Sequence, residues 1–322
     1  MNPLAAIFGM TVAARNRLYD RGWLPVQRLQ GPVISIGNLS VGGAGKTPFL
    51  ILLGELLQSR GINFDVLSRG YGRRTRGVLQ VDPAGSAADF GDEPLLIARK
   101  LGVSVVVGED RFQAGLFAET KFGPQLHLLD DGFQHRALAR DFDIVLVTPD
   151  DARDRMLPAG RLREPLSSLA RAHAVVLTGG ASPESISLRD KLVWRVRRGI
   201  LPKNVPSRPV AFCGIARPQS FLLQLRTAGI EAAAEAIFRD HHFYTEKDIH
   251  ELLKLKQTSE ADGFVTTEKD AVNLGGHLAR LEPVAVVPVR MELVNAPNAL
   301  DTMLRIIEER RRNHEKIVST RT

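Results

Sequence analysis

Ser40-Val41-Gly42-Gly43-Ala44-Gly45-Lys46-Thr47 is the stretch on which the reading of this chain turns. The apolar, β-branched run Pro32-Val33-Ile34-Ser35-Ile36 precedes it, bounded by Gly31 and Gly37. After Pro48, the residues Phe49, Leu50, Ile51, Leu52, Leu53, Leu56 and Leu57 give an apolar pattern of helix length that ends near Arg60-Gly61. Strand, glycine turn, Lys-Thr and helix in that order make a phosphate-binding loop. Its glycines let backbone amides converge on the β- and γ-phosphates, and the helix N-terminus adds partial positive charge. Lys46 then reaches the transferable phosphate, and the Thr47 hydroxyl binds Mg²⁺. The strict pattern opens with glycine where this chain has Ser40.

Outward from the loop, residues 31 to about 180 alternate short apolar runs with helical stretches, which predicts a parallel sheet covered by helices. The strands are expected at 32–36, 63–67, 103–107, 126–130, 143–147 and 174–178. Residues 181–209 carry Pro183, Pro202, Pro206 and Pro209 among mixed charges and read as a connecting segment. A smaller α/β unit follows, with strands at 210–214, 263–267 and 284–289, helices near 218–228 and 246–257, and a helical tail at 299–312. The expected fold class is therefore α/β: a P-loop NTPase-like parallel sheet flanked by helices, with a second, smaller α/β domain. The expected divisions are an N-terminal region at 1–30, a kinase-type domain at 31–205, and a C-terminal domain with its helix at 206–322.

In open α/β sheets the site lies beyond the carboxyl ends of the strands. Leu126-His127-Leu128-Leu129 ends there in Asp130-Asp131, and a carboxylate beside a phosphate loop holds Mg²⁺ against the β- and γ-oxygens. An Asp-Gly turn is the alternative. His135, on the same loop, is either a site residue or a surface group. Asp92, before the helical run 95–99, is either an N-cap or a general base for an attacking hydroxyl. Arg161 and Arg163 share a Pro- and Gly-stiffened loop, where an arginine fork binds phosphate or stays in solvent. His241, in Asp240-His241-His242-Phe243-Tyr244, is a candidate to pair with a carboxylate.

The chain of 322 residues is 44% hydrophobic and 25% charged, ordinary for a globular protein. Its one cysteine, Cys213, reads as a small core residue and rules out an intrachain disulfide. The net charge of +7 is concentrated: residues 1–80 hold ten basic and three acidic side chains. That asymmetry predicts an anionic partner for the N-terminal region. Residues 2–14 are apolar and are followed by Arg15, Arg17, Arg21 and Trp23. This run falls well short of the roughly 20 residues needed to cross a bilayer. It reads either as a helix on an anionic membrane surface or as one packed on its own domain.

Several motifs occur in order: Ile-Gly-Asn-Leu before the glycine turn, Leu-Ser-Arg-Gly-Tyr at 67–71, Gly-Asp-Glu-Pro at 91–94 and Glu-Asp-Arg at 109–111. Leu-Asp-Asp-Gly-Phe-Gln-His at 129–135 and Leu-Pro-Ala-Gly-Arg-Leu-Arg-Glu-Pro at 157–165 follow. Together, from about residue 14 to 270, the chain resembles the tetraacyldisaccharide 4′-kinases, the lipid A 4′-kinases of Gram-negative bacteria. Ser40 fits that family's form of the loop. The resemblance implies transfer from ATP·Mg²⁺ to the 4′-hydroxyl of a tetraacylated glucosamine disaccharide 1-phosphate, giving lipid IVA. It implies ATP on Ser40, Val41, Gly42, Gly43, Ala44, Gly45, Lys46 and Thr47, and metal at Thr47, Asp130 and Asp131. Catalysis is expected from Asp92 paired with His241, from Arg163 and from Lys46; no role is carried onto Arg161. Thr266-Thr267-Glu268-Lys269-Asp270 resembles the family's second-domain loop. A lipid substrate favours the membrane-surface reading of residues 2–24, and with it a peripheral, monomeric enzyme on the cytoplasmic face of the bacterial inner membrane.

Two other classes fit the sequence less well. A partitioning-type ATPase carries a signature lysine where this chain has Val41, and a GTPase would need an Asn-Lys-x-Asp motif that does not occur. A nucleic-acid module would suit pI ≈ 9.8, but the arginines of 69–76 are not interleaved with stacking side chains beyond Tyr71.

Overall fold

The computed structural model describes residues 3–179, 181, 188 and 190–319. The chain opens with α1 (Pro3–Asp20). Next come β1 (Val33–Asn38), α2 (Lys46–Ser59), β2 (Phe64–Ser68), β3 (Leu79–Gln80), α3 (Ala87–Phe90) and α4 (Asp92–Leu101). After them run β4 (Val105–Val107), α5 (Arg111–Phe122), β5 (Leu126–Asp130), β6 (Phe142–Val147), β7 (Ala174–Leu177) and β8 (Leu192–Ile200). These strands form most of a nine-stranded sheet, and β1 lies between β5 and β6, parallel to both.

Every residue of β1, β2, β5 and β6 is buried, because both faces of the sheet are covered. Ile34, Ile36, Val66, Leu128 and Ile144 pack with Phe49, Leu50, Leu53 and Leu57 of α2. Val33, Leu67, Val106 and Leu129 belong to a separate cluster with Ala114 and Ala118 of α5. Alternate residues thus serve opposite faces, and each large apolar side chain contributes about 1.5–3 kcal/mol relative to its exposed state. This double coverage fixes β1 and α2, and so the turn between them.

The smaller unit holds β9 (Pro209–Cys213), α6 (Pro218–Thr227), β10 (Ala234–Ile237), α7 (Glu246–Thr258), β11 (Gly263–Thr267), α8 (Glu268–Leu274) and β12 (Val284–Val287). Its four strands run parallel in the order β10-β9-β11-β12. Cys213 is fully buried, as expected, and burial lifts its thiol to about 12.

Three expectations are corrected. Residues 192–200, read as part of a connector, form β8, which pairs with β7 in the large sheet; residues 182–187 lie outside the described residues. The single strand expected at 284–289 is two strands on either side of Pro288: β12 ends the small sheet, and β13 (Val289–Leu293) pairs antiparallel with β8 at the edge of the large one. The final helix, α9 (Ala296–Ser319), then puts Ala299, Leu300, Met303 and Ile307 into the large-sheet core. The stretch 206–322 is therefore not one body. The small unit is inserted between β8 and β13.

Candidate active site

Residues 39–45 bridge β1 and α2. Gly42, Gly43 and Gly45 have φ of 83°, 48° and 88°, left-handed values that penalise any side chain with a Cβ. The register pairs Ile36 of β1 with Asp130 at the end of β5, which brings the carboxylate pair beside the turn. Lys46 Nζ lies 3.4 Å from Asp131 and donates to Asn38 Oδ1 at 3.0 Å. Arg163 grips Asp131 with two hydrogen bonds of 2.9 Å. Its loop is pinned behind the turn by Val41 N donating to the Arg161 carbonyl at 2.8 Å and Arg163 N to the Leu39 carbonyl at 2.7 Å.

The two aspartates are in opposite electrostatic states. Burial works to raise Asp131, but the charges and hydrogen bonds of Lys46 and Arg163 hold it far below the ordinary carboxylate range. Burial, with the charges of Glu93 and Asp131, lifts Asp130 to about 7. Among the described residues Asp130 takes one hydrogen bond, from Ser68 at 2.9 Å, and its buried Oδ1 accepts none. A buried carboxylate oxygen without a partner is what a hard cation needs. Asp130 together with the Thr47 hydroxyl, both oxygen donors, fits Mg²⁺, which takes its remaining ligands from phosphate and water.

The second cluster crosses between the two units. His241 Nδ1 lies 3.0 and 2.9 Å from the two Asp92 oxygens. Asp92 is the first residue of α4 and not its cap, which is Gly91. It is 4% exposed and also accepts from Glu93 N and from Asn273 Nδ2 at 3.1 Å. Burial works to raise its carboxyl, but the His241 hydrogen bond and the Lys269 charge bring it below the ordinary value. Burial depresses His241, and the Asp92 hydrogen bond and charge more than reverse this, so its pKa is raised. Lys269 Nζ sits 3.2 Å from His241 Nε2 and 3.4 Å from both Glu93 and Asp240. His241 reaches Asp92 with φ of 56°, whereas its neighbour His242 turns to Asp248 at 3.1 Å.

Both clusters open on one cleft of about 1020 Å³. All the expected site residues line it: Ser40 through Thr47, Asp92, Asp130, Asp131, Arg163 and His241. His135 lines it too, its imidazole pushed down to about 4 by burial and the charges of Arg111 and Arg140. Arg161 instead pairs with Asp154 at 2.8 Å and Asp150 at 3.2 Å. Sequence reading did not assign Asn38, Glu93 or Lys269. Each stands inside or beside a recognised motif, so proximity in sequence was an available signal. Asn273 carried none.

The family model for tetraacyldisaccharide-1-P 4′-kinase (LpxK) matches residues 1–308. The chain belongs to that family. A tetraacyldisaccharide 4′-kinase of Koribacter versatilis is 54% identical over 320 residues, covering 96% of this chain and 99% of the relative. One from Geobacter metallireducens is 38% identical over 323 residues, covering 94% and 95%. A crystal structure of LpxK from Aquifex aeolicus in complex with ATP superposes with a TM-score of 0.75 at 35% identity, covering 95% of this chain and 98% of that one. Family membership decides for the kinase over the partitioning-type ATPase.

Proposed function

We propose that this chain transfers the γ-phosphoryl group of ATP to the 4′-hydroxyl of a tetraacylated glucosamine disaccharide 1-phosphate, giving lipid IVA. The observation that carries the reading is the meeting of a phosphate loop and a buried Asp–His pair in one cleft. The loop amides from Ser40 to Thr47 hold the polyphosphate, and Lys46 moves its charge from Asp131 to the transferring group. Thr47, Asp130 and Asp131 offer oxygens to Mg²⁺, which when bound neutralises charge on the β- and γ-oxygens. Arg163 keeps Asp131 oriented and adds positive charge to the reacting end. Asp92 accepts the proton of the 4′-hydroxyl, and His241 shares it while holding the carboxylate in place. These two residues come from different units and are already paired at 2.9 Å, an arrangement that helps exclude water from the transferring group.

The acyl chains stay in lipid, and α1 supplies the surface for this. Leu4, Ile7 and Met10 are exposed, as are Trp23 and Val26 beyond the helix. The far end of α1 is anchored by Asn16 to Glu164 at 2.9 Å and Asp20 to Arg136 at 2.7 Å. No helix among the described residues is long and apolar enough to cross a membrane, and the proposed enzyme is peripheral, on the cytoplasmic face of the inner membrane. All the groups named lie in one chain, which supports action as a monomer.

Purified protein incubated with labelled ATP, Mg²⁺ and the micellar disaccharide 1-phosphate should label the acceptor, and Lys46→Ala should abolish it. Equal labelling by Lys46→Ala, or none by the parent, refutes the assignment.

A further inference from the structure

We infer that Arg217 is a phosphate-contacting catalytic arginine, laid by the smaller unit over the glycine turn of the larger one. The inference rests on the kinase reading above. Arg217 immediately precedes α6, and its side chain lies directly on the turn. A Cβ placed on Gly43 would meet Arg217 Cγ at 2.7 Å, Cδ at 3.0 Å and Nε at 3.2 Å; one on Gly42 would meet Ala216 at 3.4 Å. Residues 216–217 therefore close over the turn whose amides receive the polyphosphate.

The guanidinium is weakly held. It reaches Thr148 Oγ1 and Asp150 Oδ2, each at 3.3 Å, and its buried Nε has no acceptor among the described residues. Asp150 is already paired with Arg161 at 3.2 Å, so Arg217 can leave without stranding a charge. Arg163 is in the opposite condition, locked to Asp131 by two bonds of 2.9 Å. Arg198 of β8 faces the same cleft and accounts for no hydrogen bond or ion pair among the described residues. Two neighbouring cations thus flank the phosphate turn, and among the described residues the carboxylate that Arg217 reaches, Asp150, is shared with Arg161. A nucleotide polyphosphate supplies the further anion.

In the transfer step the acceptor oxygen bonds to the γ-phosphorus, and the bond from that phosphorus to the β-phosphate oxygen breaks. The electron pair leaves on ADP, and the hydroxyl proton passes to the Asp92–His241 pair. Arg217 exchanges no proton. It contributes positive charge where negative charge accumulates on the phosphoryl oxygens, the role of an arginine finger supplied within one chain.

The test compares Arg217→Ala, Arg217→Lys and Asp150→Asn in two assays: kcat for acceptor labelling at saturating ATP, and affinity for a nonhydrolysable ATP analogue relative to ADP. Arg217→Ala should lose about a hundredfold or more in kcat. Its preference for the ATP analogue over ADP should narrow about tenfold, as expected for one charge-assisted contact. Arg217→Lys should recover part of both, and Asp150→Asn should keep parental values, because it removes only the resting partner. Parental kcat in Arg217→Ala overturns the inference. So does an equal loss in Asp150→Asn, which would make the arginine a structural bridge between the units. If the parent labels no acceptor, the kinase reading fails by itself and the analogue-to-ADP ratio still decides the role of Arg217.

Discussion

Asp65–His127 and Asp92–His241 are matched in length, 2.8 and 2.9 Å, and differ in everything around them. Asp65 and His127 are register partners on β2 and β5, both essentially fully buried. The other His127 nitrogen meets Glu119 at 3.3 Å, and Glu119 also receives the Gly31 amide at 2.7 Å. Burial depresses that imidazole, and the hydrogen bonds and charges of Asp65 and Glu119 raise it overall. Asp92 and His241 come from different units, 149 residues apart in sequence. They open on the cleft, where the His241 side chain is 24% exposed. Bond length therefore does not distinguish a structural pair from the pair proposed to react. Access to a cleft and assembly from separate units do.

The largest expected effect breaks the cleft pair. Asp92→Ala should lower kcat for 4′-phosphorylation about a thousandfold, within the range set by a positioned base. Turnover within tenfold of the parent would remove Asp92 from the chemistry. Second in size is His127→Ala, which leaves the buried Asp65 and the partly buried Glu119 without their shared hydrogen-bond partner. It should lower unfolding stability by about 3 kcal/mol in urea titration, while kcat per folded molecule holds. A selective loss of kcat would mean that the two pairs are not separate in function.

The third effect reads the charge states. His241 is raised in the folded protein, so its contribution to stability is full below about pH 6.5 and fades as pH rises through its higher folded pKa. Asp92 is lowered, so its contribution is full above about pH 3.9 and fades as pH falls through its folded pKa. Stability measured across this range should show both edges, and His241→Gln should shrink the alkaline one, to which the raised His127 also contributes. An unchanged alkaline edge would assign it elsewhere. The smallest effect sharpens the contrast with the third pair, His242–Asp248. His242→Ala should cost about 1 kcal/mol and leave kcat at the parental value, although it adjoins His241.

The strands that end at the cleft were legible because they are buried on both faces and so read as unbroken apolar runs. β8 was not. Trp194 is buried, while Arg195 and Arg197 are exposed, so β8 carries several arginines at the outer part of the sheet and resembles a linker. β13 was hidden because residues 284–289 form one apolar stretch that runs across the boundary, and only Pro288 marks where the chain changes sheets. At the site, all the residues of the phosphate turn were named from their motif, whereas Asn38 and Glu93 were passed over inside theirs. Arg217 and Asn273 were missed because their placement depends on how the inserted unit meets the large sheet.

The two ends of that insertion lie side by side: Leu201 N donates to the Pro288 carbonyl at 3.2 Å. The smaller unit is thus a cassette spliced into a hairpin. Its excision would let β8 run into β13 through a short turn, keeping the sheet and α9 continuous. Such a trimmed chain would retain the phosphate turn but lack His241, Lys269 and Arg217 together, so nucleotide capture and phosphoryl transfer would be separable by a single deletion.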